Sequence, residues 1–586
     1  MKSKVSHKVY LSEIYSVLNV ILSKRTKLFL ACLPFLAIVS AVFEVGTVGM
    51  LIPFIQSITN PESLETLTVL KKIMSFFSVP IKNIIFVVQT AFFSFILISG
   101  FTRIFNNYIF QFIIAKVGTE LANYGVNKIL SNSYESHIQV NSAELIVVVT
   151  RKIDEFLELA LTPIIMFVTG GITLAMIIGF LIFTAPQISI FIFGSIVLTY
   201  VFVGFITKKM LRKHSVTQAT ASVLVMSSLK EMIAGFREIK LKNLSNHYSQ
   251  LHKEFDNKFR RSQASIRFYS QSPKFFVETV ILFIVFLLAI FLMDNGFLLD
   301  IAPMMVMIAL GLQKSLPYAQ VVYSSYSLIE GGKASGLDVI NLLSGAIRED
   351  FLGYQEVTSN MSFHNIEFSN VSFNYSKNKN TVIKNINLLI NEGDRVGIVG
   401  SSGTGKSTFS NLLMGLIRPT VGSILVNGAN LNFTLLKDWQ QILSHVPQNL
   451  FIQNSTLAQN IAFGLPKEKI DLKRVNEVLL KVGLHEFATS MPAGVWASLG
   501  DDGGLISGGQ RQRVCIARAL YDVKAEILIL DEPTSALNVE LGSDIIDLVF
   551  SLKQFKVIVV ITHNRSILHY CNKVIDFDNG SSFEGN

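Results

Sequence analysis

Cysteine and charged residues are both scarce in this chain. Its 586 residues contain three cysteines (Cys32, Cys515 and Cys571), and charged residues make up 16% of the composition. Three cysteines cannot form a disulfide framework, and no cluster of Cys and His has the spacing of zinc ligands. Hydrophobic residues make up 50% of the chain, and the mean hydropathy is +0.46. The composition therefore excludes a disordered chain, disfavours an ordinary soluble enzyme and is typical of a membrane protein.

The positive charge lies beside apolar segments. Residues 1–27 and 208–272 carry +5 and +9, against +9 for the whole chain, and both stretches flank long apolar runs. Lys and Arg beside membrane spans mark the cytoplasmic side, whereas a nucleic-acid binder would need a basic face with stacking aromatics on a soluble fold. We therefore expect no nucleic-acid partner.

Six apolar segments are candidates for membrane spans, since a span needs about 20 residues. Residues 159–207 contain no Asp, Glu, Lys or Arg over 49 positions, which predicts two helices with a turn at Pro186. The last segment has a short apolar run, Ile301–Leu312, so its polar side is expected to face protein or water. The six predicted spans are Leu28–Ile55, Ile84–Phe101 (helical to about Ala115), 159–183, 188–206, Phe275–Met293 and 301–323.

The number and flanks of these spans predict an orientation. An even number places both termini on one side of the membrane, and the Lys/Arg bias makes that side the cytoplasm. Residues 1–27 form an N-terminal cytoplasmic segment, in which Tyr10–Leu22 is expected to be an amphipathic helix on the inner surface. Residues 28–330 form the transmembrane domain of a multi-pass protein in the cytoplasmic membrane.

The character of the sequence changes after residue 330. Gly331, Gly332 and Gly336, together with the polar stretch 348–360, predict a linker over residues 331–360. From residue 361 to 586, short Val/Ile-rich runs alternate with glycine-rich turns and amphipathic helices, which is the pattern of a soluble α/β domain.

A phosphate-binding loop opens this second domain. The run from Gly400 to Ser407 fits G-x-x-x-x-G-K-[ST], between a predicted strand (Arg395–Val399) and a predicted helix (Thr408–Leu416), and this context disfavours an ordinary glycine-rich turn. Lys406 is expected to reach the β- and γ-phosphates of ATP, and Ser407 to bind Mg²⁺. The predicted nucleotide-binding residues of this loop are Gly400, Ser401, Ser402, Gly403, Thr404, Gly405, Lys406, Ser407 and Thr408.

A buried strand ending in two acids forms a second motif. Ile527–Leu530 are apolar, and Asp531 and Glu532 follow directly. A parallel strand of this kind would deliver Asp531 to the metal, and Glu532 could activate the attacking water as a catalytic base. The alternative, an acidic cap at the end of a strand, is disfavoured by the phosphate-binding loop upstream.

Between these motifs lies the run Ser507-Gly508-Gly509-Gln510, preceded by Ile506. In this position it resembles the signature of ABC transporters, although Ile506 stands where the family usually has Leu. The whole chain resembles the exporter type, with its domains fused. The resemblance implies a multi-domain fold, a six-helix all-α transmembrane bundle followed by a P-loop α/β ATP-binding domain. It also implies that Ser507, Gly508, Gly509 and Gln510 act in trans on ATP bound to a partner chain, as anion binding at a helix N-terminus allows.

Three further residues are assigned through the same resemblance. Tyr375 resembles the aromatic residue that stacks on adenine, Gln448 the glutamine that contacts Mg²⁺ and couples to the membrane domain, and His563 the switch histidine that holds the γ-phosphate and orients Glu532. Without the family, these residues would be read as a core aromatic, a surface glutamine and a structural histidine. Asn538 departs from the pattern, which usually has Asp.

The resemblance also implies a dimer. Both halves of one composite ATP site are intact, including Glu532 and His563, and six spans are half of the usual twelve. We therefore expect a homodimer. Residues near 131–142 and 229–240 are the candidates for the helices that couple the membrane domain to the ATPase.

Three basic residues in the apolar half suggest an anionic substrate. Arg103, Lys274 and Lys314 could line a cavity for a phosphate or pyrophosphate, although each could instead reach the lipid headgroups by snorkelling. A narrower similarity, to the bacterial flippase of lipid-linked oligosaccharides, implies a polyprenyl-pyrophosphate glycan as substrate; Lys274 and Lys314 stand where that flippase has Arg. The matching residues are Glu44 with Pro53–Ile55, Arg103 with Asn107, Pro273 and Lys274 with Glu278, and Lys314 with Pro317.

Two other functions stay open from the sequence. An exporter of peptides, drugs or other lipids would share every ATPase motif. An ATPase that uses its spans only as an anchor would share them as well, without transport.

Overall fold

The computed structural model describes residues 7–59, 84–139, 148–294, 298–344, 361–375, 382–534, 539–578 and 581–584. The chain divides into two compact units, one formed by Met1–Asn132 and Val140–Ile347 and the other by Ser133–Gln139 and Arg348–Asn586. The segment Ser133–Gln139 lies in the first predicted coupling region, 131–142, of which residues 140–142 are outside the described residues.

The first unit is helical throughout its described part. A short helix, α1 (His7–Ile21), precedes the first long apolar helix, as the amphipathic pattern predicts. The segment before α7 contains two π-helical turns, Val148–Lys152 and Leu157–Leu161, around the α-helical turn α6. The remaining helices are α2 (Lys24–Gly49), α3 (Leu51–Thr59), α4 (Ile84–Ser131), α5 (Tyr134–Gln139), α6 (Ile153–Phe156), α7 (Thr162–Thr184), α8 (Pro186–Ala234), α9 (Phe236–Leu241), α10 (Ser245–Gln271), α11 (Pro273–Asp294) and α12 (Leu298–Leu343), where α5 belongs to the second unit.

Among the described residues, four helical segments are long and apolar enough to cross a membrane. They are Lys24–Ile58, Ile84–Ser131, Val149–Thr184 and Pro186–Ala234. The turn predicted at Pro186 is confirmed, because α7 ends at Thr184 and Pro186 occupies the first turn of α8. Helices α11 and α12 occupy the fifth and sixth predicted segments, and the number of six spans stays a prediction.

Several helices continue well beyond the predicted spans. Helix α8 has 49 residues, about 73 Å at 1.5 Å per residue, and α10 runs beside it. The polar part of this pair is held by a small apolar cluster of Ala221, Val225 and Phe259. Ion pairs four residues apart, such as Lys258–Glu254 at 2.6 Å, add a few tenths of a kcal/mol each. The apolar pattern therefore marks the membrane part of these helices and not their ends.

The prediction of a linker from residue 331 is wrong for its first part, since residues 331–343 continue α12. The glycines that suggested a flexible connection lie at close helix contacts. A Cβ on Gly332 would lie 2.9 Å from the carbonyl oxygen of Leu159, and one on Gly331 would lie 2.7 Å from Ile266. Glycine is needed here because no side chain fits between the helices. Residues 345–360 of the predicted linker are outside the described residues.

We expect Gly332→Ala to destabilise the membrane unit by about 1–3 kcal/mol, the usual cost of forcing an extra carbon into a packed core. The matched control is Gly171→Ala in α7, where no described atom lies within 4 Å of the added carbon and the gain in helix propensity is about 1 kcal/mol. Thermal unfolding of the purified protein should therefore shift in opposite directions for the two variants. Equal shifts would show that Gly332 has no packing role.

The described part of the second unit contains two sheets. The strands are β1 (Asn365–Phe373), β2 (Ile383–Asn391), β3 (Arg395–Val399), β4 (Val421–Val426), β5 (Ala429–Asn430), β6 (Leu443–Val446), β7 (Ile527–Asp531), β8 (Val557–Ile561), β9 (Lys573–Asp576) and β10 (Ser581–Glu584). A four-stranded antiparallel sheet has the order β2-β1-β4-β5, and a six-stranded sheet has the order β10-β9-β3-β8-β7-β6, parallel except for β10. The helices are α13 (Lys406–Leu413), α14 (Phe433–Gln441), α15 (Leu457–Ile461), α16 (Leu472–Lys481), α17 (His485–Ser490), α18 (Gly508–Tyr521) and α19 (Val539–Ser551).

The parallel sheet separates two apolar cores. In β7, Ile527 and Ile529 pack into one core, while Leu528 and Leu530 pack into the other. Successive side chains of a strand point to opposite faces, so a strand buried on both faces is apolar at every position. The run Ile527–Leu530 is therefore explained by its central place in the sheet, and the catalytic loops that follow are fixed on a rigid base.

Candidate functional site

The predicted ATPase residues follow the carboxyl ends of four neighbouring strands. In the sheet order β3-β8-β7-β6, the phosphate-binding loop follows β3, His563 follows β8, Asp531 ends β7 and Gln448 follows β6. The carboxyl edge of a parallel sheet is where α/β proteins bind ligands. Residues distant in sequence are thus brought to one edge, as the motifs predict.

The phosphate-binding loop has the conformation that its glycines allow. Gly403 and Gly405 have φ of 84° and 107°, which L side chains rarely adopt, and a Cβ on Gly405 would lie 3.2 Å from the carbonyl oxygen of Val382. The buried Lys406 follows at the start of α13, and its Nζ donates to the carbonyl oxygens of Gly400 and Ser401 at 2.8 and 2.7 Å. The ammonium group is thereby held within the loop.

The donors of this loop fit a polyphosphate. The N–H groups of Ser402, Gly403, Thr404 and Gly405 form no hydrogen bond within the part of the chain that the structure describes. Consecutive unpaired N–H groups at the start of a helix form an anion-binding site. Together with the ammonium group of Lys406 they offer hydrogen-bond donors and positive charge to the phosphates of ATP.

The oxygen ligands fit Mg²⁺ bound through a nucleotide. No group of three or more His, Cys, Asp or Glu side chains that could hold a metal occurs among the described residues. Mg²⁺ at phosphates needs only one or two protein oxygens, and Ser407 and Asp531 supply a hydroxyl and a carboxylate. Burial raises the pKa of Asp531, and the negative charge of Glu532 raises it further.

Glu532 is the centre of a hydrogen-bonded group of three side chains. Its Oε2 accepts a hydrogen bond from Nε2 of Gln448 at 2.9 Å, and its Oε1 lies 3.1 Å from Nε2 of His563. These are the three residues predicted to be catalytic, and they come from three different strands. Glu532 also has φ of 50°, an uncommon conformation for a residue other than glycine, and such residues cluster at active sites.

Tyr375 lies at the edge of the same site. Its hydroxyl is 3.4 Å from Oγ1 of Thr408, and its ring packs edge-on against Phe373 with centroids 4.9 Å apart. The ring is half-buried, so one part contacts the core and the other remains available for stacking on a base. Both functional and core interpretations of this residue are therefore compatible with its position.

The signature run begins α18. The hydroxyl of Ser507 accepts a hydrogen bond from the N–H of Gln510 at 3.2 Å, and the Gln510 side chain accepts one from the N–H of Ser507 at 2.8 Å. This reciprocal capping box fixes the helix start. Ile506, which replaces the usual Leu, is buried in the core, so the substitution keeps its apolar role. The remaining N–H groups at this N-terminus suit an anion.

Two of the three intramembrane cations meet at Glu44. This carboxylate lies on α2 and is fully buried. Nε of Arg103 on α4 is 3.0 Å from one of its oxygens, and Nζ of Lys314 on α12 is 3.0 Å from the other. The hydroxyl of Tyr318 donates to the first oxygen at 3.2 Å. A single acid therefore joins three helices, and the group has a net charge of +1.

The third predicted cation lies elsewhere. Nζ of Lys274 is 3.7 Å from Glu278, one turn along α11, and no described hydrogen bond or ion pair joins it to Arg103 or Lys314. Its side chain is 48% exposed. The structure therefore brings together two of the three predicted substrate residues.

A cavity of about 240 Å³ adjoins Arg103; its wall is mainly apolar, and we call it the polar cavity after the polar side chains that it also contains. Helices α2, α4, α7 and α12 line it, and its polar lining consists of Ser40, Arg103, Asn106, Asn107, Thr169, Thr173 and Tyr318. Most of these polar groups already have partners: Arg103 and Tyr318 contact Glu44, and Asn106, Thr169 and Thr173 donate to backbone carbonyl oxygens. The cavity is a candidate for the binding of a polar headgroup because it opens beside the cation Arg103.

Known proteins identify the family. The family model described as "ABC transporter" matches residues 383–535. The ATP-dependent lipid A-core flippase of Idiomarina loihiensis is 28% identical over 498 residues, 83% of this chain and 83% of that protein. The solved structure of a bacterial Atm1-family ABC exporter with ATP bound has a TM-score of 0.70 at 17% identity, covering 99% of this chain and 96% of that one. Residues 383–535 form an ABC transporter domain. Over most of its length the chain is similar to exporters that fuse this ATPase domain to membrane helices and couple ATP hydrolysis to transport, and its apolar helices are those of a multi-pass membrane protein.

A second relative is similar over a smaller share of the chain. The alpha-hemolysin translocation ATP-binding protein HlyB of Escherichia coli O157:H7 is 36% identical over 215 residues, 37% of this chain and 30% of that protein. Proteins named for different cargo are thus similar to this chain, so similarity alone does not identify a substrate.

Two residues that contact the predicted ATP site lie outside the sequence motifs. The carboxylate of Asp578, after β9, accepts hydrogen bonds from the N–H and hydroxyl of Ser401 at 2.9 and 2.6 Å, and these bonds lower its pKa. The Gln512 side chain donates to the carbonyl oxygen of Glu532 at 3.3 Å. Only the sequence pattern Asp-Asn-Gly at 578–580, which is typical of turns, hints at the first, and nothing in the local sequence distinguishes the second.

Proposed function

We propose that this exporter is a flippase for an amphipathic lipid with an anionic headgroup, of the polyprenyl-pyrophosphate oligosaccharide class. It moves the lipid from the inner to the outer side of the cytoplasmic membrane, with both termini and the ATP-binding domain in the cytoplasm. The convergence of Arg103 and Lys314 on the buried Glu44, beside a polar cavity, carries this proposal. A diphosphate has the same sign of charge as Glu44 and can take its place at the two cations.

The relatives support a lipid as the cargo. The Idiomarina protein, similar over most of the chain, is named a lipid A-core flippase, so its printed cargo is a lipid. Lys314 is a point charge and lacks the fork of Arg, so it contributes less geometric selectivity for the diphosphate than Arg103. Lys274 is paired with Glu278 on α11 and has no contact with the diphosphate in this proposal.

ATP drives the cycle through a homodimer. ATP lies between the phosphate-binding loop with Lys406 of one copy and Ser507 of the other, and the bundle opens outward when the two ATP-binding domains close. None of the described hydrogen bonds or ion pairs joins residues 507–510 to residues 400–408 of the same chain, in keeping with a signature that serves a second copy. At the tip of the α8–α10 hairpin, α9 exposes Phe236 and Leu241, at 61% and 70%, as a coupling surface.

Hydrolysis resets the transporter. Ser407 and Asp531 would hold Mg²⁺, which would supply neutralisation of the phosphate charge. Glu532 accepts the proton of the attacking water, His563 holds Glu532 in position, and Gln448 links this group to the loop after β6. Loss of the γ-phosphate then separates the domains and returns the cavity to the inner side.

The decisive experiment compares two variants that both lack Glu44. Glu44→Gln keeps the two cations, and Glu44→Gln/Arg103→Gln/Lys314→Gln has a neutral site. We expect a polyprenyl-pyrophosphate glycan to stimulate ATP hydrolysis and to be flipped in liposomes by the first variant, while the ratio of stimulated to basal hydrolysis falls to about one in the second. Each good ionic contact to the diphosphate is worth about 1.5–3 kcal/mol, so removing both cations should raise the glycan concentration needed for half-maximal stimulation by more than tenfold.

The same experiment separates the alternatives. An exporter of peptides or drugs, whose ATPase resembles that of HlyB, would respond to those compounds equally in both variants. Equal stimulation by the glycan would contradict the assignment of the cations. An anchored ATPase without transport would move none of a panel of glycolipids, phospholipids, peptides and drugs in liposomes.

A further inference from the structure

An apolar groove runs along the membrane part of α8, on the side that faces α7 and α12. Its volume is about 450 Å³, nearly twice that of the polar cavity beside Arg103. On α8 the groove is lined at helical spacing by Phe193, Val197, Tyr200, Gly204 and Lys208. Its walls are apolar except at this last residue and at a few hydroxyl groups, so its occupant must be mainly hydrocarbon.

The groove is separate from the proposed headgroup cavity. On α7, Phe167 and Leu174 line the groove, whereas Thr169 and Thr173 line the cavity. Helix α12 is divided in the same way, with Ala319 on the groove and Tyr318 on the cavity. The α7–α12 pair thus presents one face to each, and a molecule in the groove does not reach Glu44.

Lys208 gives the groove a charged end. It is the first charged residue after 49 positions without one and opens a run with Lys209, Arg212 and Lys213. It is exposed, and no ion pair or hydrogen bond joins its side chain to any residue in the described part of the chain. A lysine directly after an apolar span lies at the level of the lipid phosphates.

The dimensions fit one lipid chain. From Phe193 to Lys208 the helix rises about 22 Å at 1.5 Å per residue, and one leaflet of the hydrocarbon core is about 15 Å thick. The groove is thus longer than one leaflet, and an acyl chain of the inner leaflet fills about the two-thirds of it nearest Lys208, with its phosphate beside that residue.

We propose that this groove is a binding site for an anionic phospholipid of the inner leaflet, with an acyl chain along α8 and the phosphate on Lys208. The charge at one end selects an anionic headgroup over a zwitterionic one, and the apolar walls hold the chain. The lipid is a resident ligand that stabilises the packing of α7, α8 and α12, distinct from the transported substrate.

The first test changes the charge. The full-length protein is purified, exchanged into detergent with phosphatidylglycerol or phosphatidylcholine, and the retained lipid is counted by native mass spectrometry. We expect Lys208→Gln to weaken retention of phosphatidylglycerol about fivefold, the effect of one basic residue near a membrane surface. Lys209→Gln, one residue further around the same helix, is the matched control and should retain the lipid as the unchanged protein does. Retention of phosphatidylcholine should not change in either variant.

The second test blocks the groove. A Cβ on Gly204 would lie 3.7 Å from the ring of Tyr323, so Gly204→Leu fills the groove without a backbone clash. Gly194→Leu is the control, because Gly194 lies on α8 with no described atom within 4 Å of an added Cβ, and both changes alter helix propensity equally. Gly204→Leu should abolish retention of phosphatidylglycerol and its stabilising shift in thermal unfolding, and Gly194→Leu should preserve both.

Three outcomes would overturn the proposal. Equal loss of phosphatidylglycerol retention in Lys208→Gln and Lys209→Gln would show that the lipid binds to a diffuse basic surface. Unchanged retention in Gly204→Leu would place the lipid elsewhere. A smaller dimer fraction in Gly204→Leu, with lipid retention preserved, would show that the groove is an interface between two copies.

Discussion

Glu532→Gln is expected to lower the steady-state rate of ATP hydrolysis by about 10²–10⁴-fold, the contribution of a positioned general base. The amide has the size of the carboxylate and keeps contacts with Gln448 and His563, which lie 2.9 and 3.1 Å from the carboxylate oxygens. It cannot accept the proton of the attacking water. ATP binding depends on the phosphate-binding loop and should therefore persist.

The measurement is a pair of assays on the reconstituted protein. Turnover is followed by phosphate release, and bound nucleotide is counted after rapid removal of free ATP, where the variant should retain ATP and not ADP. Glu477→Gln is the matched control, because among the residues that the structure describes this exposed glutamate pairs only with Arg474, at 3.5 Å. Persistence of turnover in Glu532→Gln would show that another group is the base.

His563→Ala tests the geometry of the same group. The imidazole holds one oxygen of Glu532 at 3.1 Å, so its loss frees the carboxylate to rotate, and Glu532 also has an uncommon φ of 50°. A positioning role predicts a smaller loss of rate than in Glu532→Gln, with ATP retained in both variants. The two substitutions together should cost little more than Glu532→Gln alone, because residues that act as a unit are not additive.

The ATP site could be predicted from sequence because its chemistry is carried by contiguous motifs. The loop from Gly400 to Ser407 and the run Ile527–Glu532 each combine a buried strand with its functional residues, and parallel topology brings strand ends together. The strand predicted at Arg395–Val399 is confirmed at those bounds. The contact between Asp578 and Ser401 joins residues 177 positions apart and leaves no local pattern.

The helix ends and the linker could not be predicted in the same way. Apolar composition reports where lipid surrounds a helix, and α8 continues to Ala234 on polar residues that pack against α10. Glycine has two opposite meanings, flexibility in a linker and close approach in a helix pair, and the sequence around Gly332 does not distinguish them. Residues 535–538, which include Asn538, and the loop 60–83 are outside the described residues.

The charges in the membrane domain show what sequence can contribute to a substrate site. Arg103, Lys274 and Lys314 are visible as interruptions of apolar runs, but their partners are not. Lys314 meets Glu44 across 270 positions, whereas Lys274 meets Glu278 one turn away. The predicted cationic lining is therefore divided into two ion-paired groups, one with a net charge of +1 at Glu44 and one neutral at Glu278. The proposed anionic headgroup would have to compete with Glu44 for its cations.

Arg103→Gln/Lys314→Gln is expected to destabilise the membrane domain more than Glu44→Gln. The double variant leaves a fully buried carboxylate without a cation, which costs about 3–5 kcal/mol. Glu44→Gln leaves two cations whose side chains are 51% and 31% exposed, so they can turn toward water or the polar cavity, and the cost is about 1–2 kcal/mol after this discount.

The triple variant Glu44→Gln/Arg103→Gln/Lys314→Gln should recover most of the stability lost in the double variant, because no charge remains buried and the amides can bond to each other. Thermal unfolding in detergent ranks the stability of these variants. Lys274→Gln, which breaks an exposed ion pair, is the control and should change the free energy of unfolding by less than about 1 kcal/mol. A triple variant no more stable than the double one would show that packing among α2, α4 and α12, and not the unpaired charge of Glu44, sets the stability of this group. If the triple variant is restored, its loss of glycan stimulation can be assigned to the missing cations, since the fold is intact and the charge of Glu44 is absent from both proteins compared.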